Sequence, residues 1–148
     1  MKKSIILIIS LVIASSVMSQ QDVSEKHLRK FCEKFAKAIE SGKPEKCLRF
    51  FDDKYVKEQH DIILKGNTLQ FVSEFVLGFG QLPPEEAGVD LPVFSDISDV
   101  KFVDLIYDAD GNRMAAYVIT LKNGNSYKMH APIVITGPKN FGFRGAMG

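Results

Sequence analysis

The chain has 148 residues, 45% hydrophobic and 25% charged, with eleven phenylalanines, no tryptophan and a formal net charge of +1. That length suits one domain with a core of its own. The near-neutral charge offers nothing that would recruit nucleic acid or an anionic membrane surface.

Lys2 and Lys3 precede an apolar run from Ile5 to Ala14, and Val17-Met18-Ser19 places small or modest side chains at the minus-three and minus-one positions of a signal-peptidase site. Met1 to Ser19 is therefore expected to be a secretory signal peptide. A membrane-spanning helix would need about 20 apolar residues, and polar Ser15, Ser16, Gln20 and Gln21 arrive too soon. No cysteine follows the apolar run to carry a lipid, so no membrane anchor is expected. The exported domain, periplasmic or secreted, would hold about 129 residues with a charge of about −1.

Asp22 with Glu25 resembles a capping box, after which Leu28, Phe31, Phe35, Ala38 and Ile39 recur at helical spacing until Ser41-Gly42. Pro44 suits the first position of a second helix, carrying Leu48, Phe50 and Phe51 and ending near Asp52-Asp53. Tyr55 to Leu64 is ambiguous, with a helical reading open and Gly66 as its end. Asn67 with Gln70 caps a third helix whose stripe is Leu69, Val72, Phe75, Val76 and Phe79. Gly80 to Asp96, with Pro83-Pro84, Gly88 and Pro92, is a loop of unusual length, read as a surface excursion and open to a role as a lid or partner contact.

Val100 to Thr136 reads as an antiparallel meander turned at Asp110-Gly111 and Asn123-Gly124. With two-residue loops at both turns, Val103, Leu105, Tyr107, Met114, Ala116, Val118, Met129, Ala131 and Ile133 share one apolar face that packs on the helices. The other face is mixed: Phe102, Asp104, Ile106, Ala115, Tyr117, Ile119, Lys128, His130 and Pro132. Asp108 to Asn112 has a superficial likeness to a calcium loop, but the EF-hand pattern needs a later glycine and a distant glutamate, so a plain turn is expected. Gly137-Pro138 ends the last strand, and Phe141-Gly142-Phe143 adds a short edge segment.

The turn Ala38-Ile39-Glu40-Ser41-Gly42-Lys43-Pro44, leading into Arg49-Phe50-Phe51-Asp52-Asp53, then a further helix and an antiparallel sheet, resembles the nuclear-transport-factor-2-like, cystatin-like superfamily. The Ser-Gln-Gln junction after the signal is similar to that of small exported Bacteroidetes proteins. The superfamily resemblance implies an α+β fold, with N-terminal helices packed on a curved antiparallel sheet that forms a conical pocket. Members include isomerases, dehydratases and many domains without catalysis. No tyrosine and aspartate pair matches the ketosteroid-isomerase site, so no catalytic residue carries over.

His27, His60 and His130 lack metal-ligand spacing, and no phosphate loop or Gly-x-Ser-x-Gly elbow is present, so neither metal nor cofactor is expected. Asp104, Tyr117 and His130 would form a row across the mixed face, a proton-transfer site or a polar stripe in an association surface. Phe102, Asp104, Tyr117, Ile119 and His130 are expected to form the seam of a homodimer. Tyr55, His60, Tyr107, Met114 and Met129 are the candidates to meet a small apolar ligand in the cone. The expected function is a noncatalytic binding or scaffold module, with such a ligand or a protein partner on the sheet. The alternative is an isomerase, dehydratase or hydrolase drawing on Asp53, Tyr55 or His60. Cys32 and Cys47 are expected to stay unpaired, because a tight helical hairpin would offset them beyond disulfide reach.

Overall fold

A computed structural model describes residues 25–78 and 92–145. Helix α1, over residues 25–40, buries Leu28, Cys32, Phe35, Ala36 and Ile39 on one stripe, because positions three or four apart stack on one face. Its proposed start at Asp22 lies outside the described residues. Gly42, at φ +68°, ends it where Ser41-Gly42 predicted, in the left-handed conformation that glycine adopts without strain.

Pro44 does open a helical segment, but as two 3₁₀ turns, Pro44–Lys46 and Leu48–Phe50, rather than one α-helix. The chain then extends at Phe51. The Asp52 carboxylate caps the short helix α2 (Asp53–Tyr55) by accepting from the Tyr55 N–H at 3.3 Å. This turn widens into a π-helix, Val56–Ile63, which resolves the ambiguous stretch as helical. Asn67 caps α3 (Thr68–Leu77) as expected, its side-chain oxygen accepting from the Gln70 N–H at 3.1 Å. The buried stripe is Phe71, Val72, Phe75 and Val76; Leu69 falls on its flank and is 56% exposed, while Phe79 lies outside the described residues. Most of the Gly80 to Asp96 loop lies outside them too, and Phe94–Asp96 is a 3₁₀ turn leading into the sheet.

Strands β1 (Ile97–Tyr107), β2 (Arg113–Leu121), β3 (Ser126–Gly137) and β4 (Asn140–Phe143) form an antiparallel sheet in the order β1-β2-β3-β4. The fold is α+β, with helices packed on a curled rather than closed sheet. Both hairpin loops are longer than two residues. At the first, the Asp108 N–H bonds the Asn112 carbonyl at 3.0 Å and Tyr107 pairs with Arg113; at the second, the Leu121 N–H bonds the Asn125 carbonyl at 2.8 Å and Thr120 pairs with Ser126. Each register therefore sits one residue from the two-residue expectation, and a one-residue slip sends side chains to the opposite face. A bulge at Val103, between the pairs Phe102–Tyr117 and Asp104–Ala116, shifts β1 further. As a result Ala115, Tyr117 and Ile119 face the helices and Val103, at the bulge, is 53% exposed; Leu105 packs on the core as expected, whereas Tyr107, on the same face at the end of the strand, is 61% exposed. Met129 and Ala131 are buried, as expected, because the two slips cancel on β3.

Helix α1 guards the edge at β1: Glu40 Oε1 accepts from the Val100 N–H at 3.0 Å, and Arg29 Nη2 donates to Asp104 Oδ1 at 2.8 Å. The edge at β4 is closed by a parallel bridge between Phe51 and Phe143 and by the Asp52 N–H donating to the Phe143 carbonyl at 2.9 Å. Phe141-Gly142-Phe143 is thus an edge segment, as predicted, and Phe143 is also a core residue. Phe35 sits at the centre of that core, its ring 4.6 to 6.0 Å from those of Phe50, Phe51, Phe75, Tyr117 and Phe143. Cys32 and Cys47 are buried and unpaired, as expected.

Candidate functional site

The five residues expected to line a cone do not come together. Met129 is core, and Met114 is buried on the opposite face of the sheet between its strand partners Ile106 and Pro132. Tyr107 stands exposed at the first hairpin, with the Arg113 guanidinium 5.9 Å from its ring centre. Only Tyr55 and His60 share a neighbour, each with its ring centre 5.4 Å from that of Phe71. Among the described residues the helices and the sheet meet through packed aromatic rings, and no buried side-chain nitrogen or oxygen among them lacks a hydrogen-bond partner.

The expected seam is overturned as well. Tyr117 is 1% exposed, and its hydroxyl donates to the Cys32 carbonyl at 3.0 Å; burial raises its pKa well above the usual phenol value. Ile119 is fully buried, and Phe102 packs on Tyr117 from the same side of the sheet. These three side chains belong to the core and cannot form an association surface. The row across the other face runs Asp104–Ala116–His130, so an alanine stands where the phenol was expected and proton relay is broken. Asp104 instead accepts from Arg29, whose hydrogen bond holds its carboxyl below the ordinary carboxylate value. The Asp108 carboxylate accepts from the backbone N–H groups of Asp110 and Asn112 and from Asn112 Nδ2, the plain turn expected.

One arrangement escaped the sequence reading. His60, buried in the π-helix, has Nδ1 2.6 Å from Asp61 Oδ1 and Nε2 2.9 Å from Thr68 Oγ1. With the ring neutral and its proton on Nδ1, the imidazole donates to the carboxylate and accepts from the hydroxyl. The wide π turn brings His60 against the start of α3, and the Asn67 cap sets Thr68 in that helix's first position. No sequence spacing announces this line, since it needs a π-helix that periodicity does not reveal. Exposed Ile62 and Ile63 follow Asp61, and exposed Leu69 follows Thr68, so three aliphatic side chains bracket the turn that His60 ties.

The Cys32 and Cys47 thiols are each pushed up to about 12 by burial, which makes both inert as nucleophiles near neutrality. Among the described residues no group of three or more His, Cys, Asp and Glu side chains is placed to hold a metal ion. No helix among them is long and apolar enough to cross a membrane. The chain matches no family model, no curated protein and no solved structure.

Proposed function

We propose that this chain is an exported, noncatalytic binding module of the nuclear-transport-factor-2-like kind that works through its surface. The observation that carries this reading is the filled interior: where a ligand-binding cone would stand open, Phe35, Phe51, Phe75 and Phe143 pack ring against ring. The order of elements, helices first and a curled antiparallel sheet last, supports the likeness. The partner is a second copy of the chain, meeting it through Ile62, Ile63 and Leu69, the exposed aliphatic side chains around the His60–Thr68 tie. Burying them contributes about 25 cal/mol per Å² of apolar area. Sedimentation velocity at tens of micromolar should give a dimer for the wild type and a monomer of unchanged thermal stability for Ile62→Glu combined with Leu69→Glu. A monomeric wild type sinks self-association. A rise in Tm with a small apolar ligand such as decanoate sinks the filled interior.

A second reading, hydrolysis, has one observation in its favour, the Asp61–His60–Thr68 line. In it Thr68 Oγ1 attacks an acyl carbon and its proton passes to His60 Nε2, which returns it to the leaving alkoxide; a water then releases the acyl group by the same route. Hydrolysis of p-nitrophenyl acetate that disappears in both Thr68→Ala and His60→Gln would establish it. Activity surviving Thr68→Ala would exclude this nucleophile.

A further inference from the structure

Helix α1 and the two 3₁₀ turns after it border an open, shallow cleft of about 290 Å³ whose polar lining among the described residues is Lys34, Lys37, Ser41, Lys46 and Arg49. The local backbone explains the convergence. Lys34 and Lys37 stand three apart on one face of α1, Lys46 and Arg49 stand three apart on the turns, and the left-handed Gly42 folds the second pair back toward the first. Among the described residues no carboxylate lines this cleft, although Glu33 and Glu45 adjoin Lys34 and Lys46 in the chain. None of the four cations forms an ion pair within the described residues, where the salt bridges are Arg29 with Glu25 and Asp104, Lys54 with Glu58, His60 with Asp61, and Arg144 with Asp52. Glu40, the acid nearest the end of α1, has its carboxylate turned to the Val100 N–H.

Four like charges in one concavity repel one another and focus a positive potential on it, although the whole chain is nearly neutral. Arg49, whose guanidinium lies 4.9 Å from the centre of the Phe50 ring, borders this cleft and also a neighbouring one lined by Asp52 and Asp53. We propose that this cleft is a binding site for a compact, multiply charged anion, a phosphate monoester or diphosphate group. A carboxylate would neutralise only one of the four charges. A phosphoryl group carries about two, and its oxygens accept from Arg49 in a planar fork and from three mobile ammonium groups. The site is separate from the proposed association surface, which lies on the π-helix and α3.

The test is calorimetric titration of the mature chain with inorganic pyrophosphate at fixed ionic strength. Lys34→Gln with Lys46→Gln should weaken binding about tenfold or more, since each change removes a charge-assisted hydrogen bond to the anion. Lys26→Gln with Lys30→Gln, which removes two cations elsewhere on α1, should leave it within about twofold, because exposed charges that make no direct contact are screened. Lys34→Arg with Lys46→Arg should retain binding. Flotation with vesicles containing phosphatidic acid assigns the source: capture lost in Lys34→Gln with Lys46→Gln places the phosphate on a lipid, and pyrophosphate binding without capture places it on a soluble molecule. Failure to bind either probe, or equal weakening by the two glutamine pairs, overturns the proposal.

Discussion

The Tyr117 hydroxyl donates to the Cys32 carbonyl at 3.0 Å, joining the middle of β2 to the middle of α1 across 85 residues of sequence. Tyr117 also packs against Phe35 and Phe102. Removing the hydroxyl in Tyr117→Phe keeps the ring, and the Cys32 carbonyl retains the backbone donor that α1 provides. The expected loss is therefore small, about 1 kcal/mol by urea denaturation. Tyr117→Glu is expected to unfold the domain, because it places a charge in the core with no cation to meet it. A folded, soluble Tyr117→Glu protein would contradict this placement.

Gly142 lies where β4 meets the extended segment at Asp52. A Cβ there would stand 2.7 Å from the Asp52 nitrogen and 2.8 Å from its Cα, both backbone atoms that cannot swing aside. Gly142→Ala should force that edge apart, weaken the Asp52 to Phe143 hydrogen bond, and cost about 1 to 3 kcal/mol. Gly137→Ala is the control on the neighbouring strand, since its added Cβ would meet only the Asn140 Cβ at 3.6 Å. Equal denaturation midpoints for the two variants would show that the close approach at Asp52 does not matter.

The buried thiols make a prediction in alkali. Burial raises Cys32 and Cys47 from the ordinary 9.0 to about 12 in the folded protein. A raised folded value means that the contribution to stability is complete below about pH 9 and is lost as the pH climbs toward 12, where the unfolded chain releases protons that the folded chain keeps. Cys32→Ala with Cys47→Ala should flatten this alkaline decline, although cavities lower stability at every pH. Below pH 9 the native wild type should react with a thiol reagent only at the rate at which it opens.

Helices, caps and stops were largely legible in the sequence because they are local: Ser41-Gly42, the Asn67 cap and the Val72, Phe75 and Val76 stripe all hold. The fold class followed from their order. The faces of β1 and β2 were not legible, because Asp110-Gly111 and Asn123-Gly124 mark a turn without fixing its length. One residue of slip then moved Tyr117 and Ile119 from surface to core. The candidate site residues depended on those faces, so most fell with them. The line from Asp61 through His60 to Thr68 was hidden for another reason, since the π-helix that builds it has a period the sequence pattern does not show.

The last prediction concerns the edge of the sheet along β1, where α1 supplies Glu40 to the Val100 N–H and Arg29 to Asp104. Arg29 and Asp104 are both exposed, so their ion pair adds little at high salt. It still leaves a mark in acid. The Asp104 carboxyl titrates below its ordinary value, chiefly through the Arg29 hydrogen bond; its contribution is present above the unfolded value near pH 4 and is lost as the pH falls through the lower folded value. The stability gap between wild type and Arg29→Gln should therefore be present at pH 7 and close by pH 2. Glu40→Ala has a different consequence, because it frees a backbone donor on an edge strand, a ready template for pairing with another chain. We expect it to cost about 1 kcal/mol and to increase edge-to-edge association on standing, measured by light scattering. Glu40→Gln, whose side-chain oxygen can still accept from Val100, should restore most of the lost stability. If Glu40→Ala and Glu40→Gln scatter alike, the guard on that edge lies elsewhere.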